Sequence, residues 1–314
     1  MKLSTITVSL ALALTANVAS AENVAETSDP IVGGAAADAE QLHGTVALIA
    51  DGQPVCTGTL IAPRVVVTAA HCVVFDDGSR SSAGDVSIAA GVLDANNTSS
   101  GDTVGVERIV AHPGYGDGGG DDPSGLGVSN DIAMLLLASE PTGVIAVPVL
   151  PMDDFDDVVS SGNDVTITGY GLTATGDNAP SGRLFTAHTP YQRRTSTEFL
   201  AGRPGKPDSC NGDSGGPAYV NHDDVVYLIG ATSRASHDSQ QVCGDGGIYT
   251  LVPAYESWLR DNSDGRYPAD EYPGIEAAGC SATGTSTTGW SWLAGFMLIG
   301  AAVGVARRKA ERAQ

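Results

Sequence analysis

Short β-branched and aliphatic runs alternate along most of the chain with clusters of Gly, Asp, Asn and Pro. The runs 45–50, 65–68, 104–111, 132–137, 165–168 and 225–231 are predicted strands, because β-branched side chains suit a pleated surface and the intervening residues end it. No long amphipathic helical pattern occurs before 253–259, where Pro253 near the start marks a short closing helix. Many short strands separated by turn signals imply an all-β barrel or sandwich.

Two apolar stretches at the ends break this pattern. Lys2, the run 8–14 and the small-residue site Ala19-Ser20-Ala21 read as a secretory signal peptide, residues 1–21. Near the other end, residues 290–306 are apolar and Arg307-Arg308-Lys309 follow. That length is at the short limit for spanning a bilayer, and the basic tail 307–314 would hold its end in the cytoplasm. A buried terminal helix fits three adjacent cations less well. Residues 263–289, rich in Pro, Gly and Thr, read as a linker carrying Cys280.

Composition adds a compartment and a charge. Export places the five cysteines where they can oxidise, and four of them allow three pairings. The formal net charge of −21 makes a surface that repels nucleic acid and anionic lipid, and it suits solubility in an extracellular setting. The Gly/Asp-rich stretch 114–128 lacks the spacing of an EF-hand loop and reads as a solvated insertion.

Candidate chemistry lies in four ordered motifs: Ile31-Val32-Gly33-Gly34, Thr68-Ala69-Ala70-His71-Cys72, Asn130-Asp131-Ile132-Ala133-Met134-Leu135, and Gly212-Asp213-Ser214-Gly215-Gly216-Pro217. A serine hydroxyl needs a base to become a nucleophile, histidine titrates near neutrality, and a carboxylate can orient it. The set resembles the trypsin/chymotrypsin family of serine endopeptidases over residues 31–262. The resemblance implies two packed six-stranded β-barrels with the active site in the cleft between them, and a Ser214-His71-Asp131 triad. It also implies an oxyanion hole from the N–H groups of Gly212 and Ser214, and disulfides Cys56–Cys72 and Cys210–Cys243. Residues 22–30 become an activation propeptide, after whose removal the Ile31 α-ammonium pairs with Asp213. Family propeptides often end in Lys or Arg, whereas this one ends in Pro30, so an unidentified activating protease is expected. His43, His112, His188, His222 and His237 have no comparable context and read as surface or loop residues.

The same resemblance puts Asp208 at the floor of the primary specificity pocket, with Ser233 and Gly247 among the substrate-binding residues. A carboxylate there selects Arg or Lys in protein or peptide substrates. Where the family usually has Ser-Trp-Gly, this chain has Ser233-Arg234-Ala235. Loss of the indole removes apolar surface, and Arg234 adds a cation that would favour acidic residues upstream of the cut. Narrow altered specificity is therefore an open alternative. A silent, protease-like binding module is another, although such relatives usually lose the His71 or Ser214 position. No metal or organic cofactor is expected. The tail resembles C-terminal sorting signals of Gram-negative secreted proteins, including the cysteine-bearing myxobacterial type. That implies a secreted or cell-surface enzyme, a transient membrane span and a processing enzyme acting at Cys280; a permanent anchor remains the alternative.

Overall fold

The computed structural model describes residues 31–116, 122–172, 181–241 and 243–267. After a short edge strand β1 (Ala35–Ala36) the chain builds two antiparallel barrels. The first closes in the order β2 (Thr45–Ala50), β3 (Gln53–Ala62), β4 (Val65–Thr68), β7 (Ala133–Leu137), β6 (Asp102–Ala111) and β5 (Val86–Ala90). A helical turn α1 (Phe155–Val158) leads into the second. There β8 (Asp164–Gly169), β9 (Phe185–Arg194), β10 (Glu198–Ala201), β13 (Gly247–Leu251), β12 (Val225–Ala235) and β11 (Pro217–His222) join in that order, and β11 closes on β8. The expected pair of six-stranded barrels is present, with β1 added at β9.

Each barrel is filled by its inward-facing side chains. Val46, Leu48, Leu60, Val66, Ile88 and Leu135 fill the first, and Ile167, Phe199, Ile229 and Tyr249 the second, where Phe155 of α1 joins the cluster. A third cluster joins the two: Val65, Val67, Ile132, Met134 and Leu136 pack against Tyr219, Leu228, Val252 and Leu259. Leu259 belongs to α2 (Glu256–Asn262), which follows a 3₁₀ turn at Val252–Tyr255 and matches the expected closing helix. Fully burying one such aliphatic side chain contributes about 1.5–3 kcal/mol, so this seam is a substantial part of what holds the barrels together.

All six predicted strands are present, but others were not visible in the pattern. Strand β3 is interrupted by Pro54 and Gly58, and β9 (FTAHTPYQRR) is too polar to read as a strand by composition. Their conformation comes from neighbours on both sides, β2 and β4 for β3, β8 and β10 for β9. The signal peptide, the propeptide, Cys280, the apolar span 290–306 and the basic tail lie outside the described residues. Among the described residues no helix is long and apolar enough to cross a membrane.

Candidate active site

His71 sits in a 3₁₀ turn (Ala70–Cys72) just after β4, and Asp131 lies just before β7, which pairs with β4. That pairing sets the two side by side. His71 Nδ1 is 2.8 Å from Asp131 Oδ2, and the His71 backbone N–H donates to Asp131 Oδ1 at 3.0 Å. A carboxylate only accepts, so Nδ1 carries the proton and a neutral ring presents its Nε2 lone pair. Asp131 is 3% exposed. Burial pushes its pKa up, but the His71 hydrogen bonds, the attraction of the imidazole when it is protonated and a 2.6 Å bond from Ser233 Oγ outweigh this and hold it below the usual carboxylate range. Thr250 on β13 donates to its backbone carbonyl at 2.7 Å.

Ser214 comes from the second barrel, in the turn before β11. Its carbonyl accepts from Thr57 N–H at 2.9 Å. Thr57 follows Cys56, whose bridge to Cys72 has an S–S distance of 2.06 Å and lies next to His71. At Gly215, with φ +76°, an added Cβ would lie 2.0 Å from Thr68 Oγ1, so only glycine lets the serine turn come this close to the histidine turn. Among the described residues Ser214 Oγ makes no hydrogen bond; catalytic contacts of this kind commonly tighten only with substrate bound.

The oxyanion-hole candidates have their backbone directions fixed from behind. Asn211 C=O accepts from Leu172 N–H at 2.7 Å, and Asp213 C=O accepts from Gly216 N–H at 2.7 Å. In a trans peptide the N–H points opposite to its C=O, so the N–H groups of Gly212 and Ser214 face away from these partners. Neither donates to another described residue. Gly212 has φ +95°, and a Cβ there would meet Gly171 Cα at 2.8 Å, which accounts for glycine at this position.

Besides Asp131, three further buried acids lie among the described residues of this region. Asp213 is 1% exposed; its oxygens accept from Gly171 N–H and Cys210 N–H, each at 2.8 Å, and burial still pushes its pKa up to about 7. Asp208, 2% exposed, accepts from Ser209, Gly244 and Gly246 N–H groups at 2.9–3.0 Å, and burial raises its pKa too. A Cβ on Gly247 would lie 3.3 Å from Asp208 Oδ1, so a side chain there would crowd that oxygen. Both acids stand beside the Cys210–Cys243 bridge. Ile31 is buried in the second-barrel core, and Val32 C=O accepts from Asp208 N–H at 3.1 Å.

The third acid, Glu198, was missed by sequence reasoning. Its only signal was a charge inside a strand-like run, Glu198-Phe199-Leu200-Ala201. It is fully buried and forms a two-pronged ion pair with Arg234, at 2.8 and 2.9 Å. Arg234 is therefore not the free cation expected to attract acidic substrate residues. Its charge is neutralised within the fold, and it also donates to Gly125 C=O at 2.8 Å. The expected solvated insertion is corrected likewise for residues 124–127, whereas Gly114, Gly116, Pro123 and Val128 are exposed as expected. Residues 124–127 are buried, Leu126 packs on Leu200 and Ile248, and Arg193 holds Asp122 at 2.7 Å. Asp117 and Asp121 lie outside the described residues. Cys56, His71 and Cys72 cluster tightly, but the two sulfurs are bonded to each other and do not form a thiolate metal set.

A trypsin family model matches residues 31–259. The chain is 33% identical over 245 residues to a trypsin of Saccharopolyspora erythraea, covering 74% of this chain and 97% of that one. It is 28% identical over 261 residues to human chymotrypsin-like elastase family member 1, covering 77% and 95%. With CLIP domain-containing serine protease B9 of Anopheles gambiae it shares 31% over 239 residues, which is 66% of this chain but 55% of the mosquito protein. A family match over most of the chain, on a double barrel that brings a histidine, an aspartate and a glycine-flanked serine to one place, leads to one conclusion. The chain belongs to the trypsin family of serine endopeptidases.

Proposed function

We propose that the protein is an exported, zymogen-type endopeptidase that cleaves after Arg or Lys through Ser214, His71 and Asp131. The observation that carries this is the 2.8 Å contact between His71 Nδ1 and a buried Asp131 carboxylate, beside a serine turn whose Ser214 C=O accepts from Thr57 N–H of the histidine barrel at 2.9 Å. Ser214 attacks the scissile carbonyl while its proton passes to His71 Nε2. Asp131 stabilises the resulting imidazolium. The N–H groups of Gly212 and Ser214 receive the developing oxyanion, and loss of one such donor typically costs about 3 kcal/mol of barrier. His71 then protonates the leaving amine, and water, deprotonated by the same imidazole, hydrolyses the acyl-enzyme.

Asp208, next to Gly247 and with Ser233 as a further substrate-binding residue of the proposed pocket, selects the cationic side chain, and cleavage before Ile31 frees an ammonium for Asp213. The two disulfides fit an oxidising compartment. Protein or peptide substrates and a separate activating protease are the proposed partners. A second reading, the same chemistry with altered specificity, is favoured by one observation: Asp208 already accepts three backbone N–H groups. Substituting Ser214→Ala tests the catalytic assignment. Phosphonate labelling should vanish and peptide hydrolysis should fall to a trace with the melting temperature unchanged; a variant keeping most of its amidase activity would refute the assignment.

A further inference from the structure

We propose that Glu198 and Arg234 form a positioning pair for the catalytic carboxylate, reaching Asp131 through Ser233 on one side and through the loop that carries it on the other. This rests on the reading of His71 and Asp131 as base and orienter. Arg234 Nη1 lies 3.2 Å from Ser233 Oγ. A guanidinium only donates, so the hydroxyl accepts there and its single proton is directed to Asp131 Oδ2, at 2.6 Å. The guanidinium itself is fixed by its fork on Glu198, the rigid bidentate geometry that a lysine does not reproduce.

Glu198 also works on the backbone. Its Oε2 accepts from Gly127 N–H at 2.8 Å and its Oε1 from Ser129 N–H at 3.3 Å, two residues before Asp131. Thr195 and Thr197 hydroxyls hold Gly127 C=O from the same barrel. Asn130, the link between Ser129 and Asp131, has φ +50° and is held by Tyr255 OH at 3.0 Å. A residue in that left-handed region stays there only when its surroundings hold it. One buried acid of the second barrel therefore governs both the side-chain and the main-chain setting of a catalytic group carried by the first.

The charges facing this network are few. Arg234 faces Glu198, His71 faces Asp131, and Tyr255 stands near both acids with its pKa pushed up to about 12, chiefly by burial, so it is neutral. Removing the Glu198 charge alone leaves Arg234 uncompensated, which disfavours the His71 imidazolium. Removing both charges restores the balance.

The test uses the full chain, exported and freed at Ile31, with p-nitrophenyl acetate as a substrate that asks nothing of Asp208 or of upstream subsites. Glu198→Gln should lower kcat about tenfold with KM nearly unchanged. It should also move the acidic midpoint of the kcat/KM profile down by about 0.5 pH unit. The double variant Glu198→Gln with Arg234→Gln should return the midpoint towards wild type while kcat stays low. Arg234→Lys, which keeps the charge but not the fork, should lower kcat without moving the midpoint, and it stands in should Glu198→Gln fail to fold. Wild-type kcat in Arg234→Lys and Glu198→Gln, or a double variant as displaced in pH as the single one, would overturn the proposal. A wild-type protein that neither labels with phosphonate nor turns over would instead refute the triad reading, and the positioning role with it.

Discussion

Asp208 carries the specificity argument with a carboxylate that is largely satisfied before substrate arrives. Three N–H donors from Ser209, Gly244 and Gly246 leave an ionised carboxylate room for a further donor, because its two oxygens offer about four acceptor sites. A substrate guanidinium or ammonium can supply that further donor and a countercharge, whereas an apolar side chain would shut the ionised carboxylate from water with neutral backbone donors alone. Wild-type enzyme should therefore prefer Arg or Lys over Phe or Leu by about 1000-fold or more in kcat/KM. Asp208→Ser should remove most of that preference while leaving Ser214 reactive towards phosphonate. A profile of peptide substrates that favours apolar residues in the wild type would select the altered-specificity reading.

At the scale of elements, the informative segment is the one that begins at Ile31. Its side chain is already buried in the second-barrel core and its neighbour bridges to Asp208, while Asp213 lies buried with only backbone donors. In the uncut chain no α-ammonium exists to offset that carboxylate, and its pKa stands at about 7. A carboxyl whose folded pKa is raised above its unfolded value of 3.8 favours folding below that value and loses the benefit as pH rises to about 7. The precursor starting at Glu22 should lose up to about 4 kcal/mol of stability between pH 4 and pH 7 from this group, and Asp213→Asn should flatten the trend. On the zymogen reading, an ammonium freed at Ile31 should reverse the sign by holding Asp213 ionised. Protein starting at Ile31 should thus be active and stable at neutral pH, and the Glu22 form nearly inactive. Equal activity of the two forms in a peptide assay, or a precursor whose urea midpoint ignores pH, would remove the zymogen argument.

For the whole molecule, the two barrels meet along the Leu259 seam, and the described chain ends at Tyr267, buried in that same cluster. Deleting residues 281–314 should leave phosphonate labelling and turnover intact, since every residue assigned to the site lies within 31–267. Mass spectrometry of the exported protein should find a C-terminus near Cys280, with Cys280→Ala retaining the full-length, membrane-bound form. Recovery of residues 290–314 in the mature wild-type enzyme would leave a permanent anchor instead.

The all-β class was legible in the sequence because β-branched runs mark buried strands, and the glycines beside Ser214 mark positive φ; the two disulfides follow the pairing that the family resemblance implies, which cysteine spacing alone left open. Tertiary structure alone decided what Arg234 does. A guanidinium in a substrate-binding strand reads as a ligand for acids until Glu198, 36 positions away, is seen buried against it. The stretch 114–128 reads as solvated from its Gly and Asp, yet Arg193, Glu198, Arg234 and Leu200 dock residues 122–127 of it onto the other barrel. Strand β9 likewise owes its conformation to the partners on either side. Local motifs record the backbone geometry that chemistry requires, whereas the pairing of charges across barrels depends on long-range contacts that no spacing along the chain encodes.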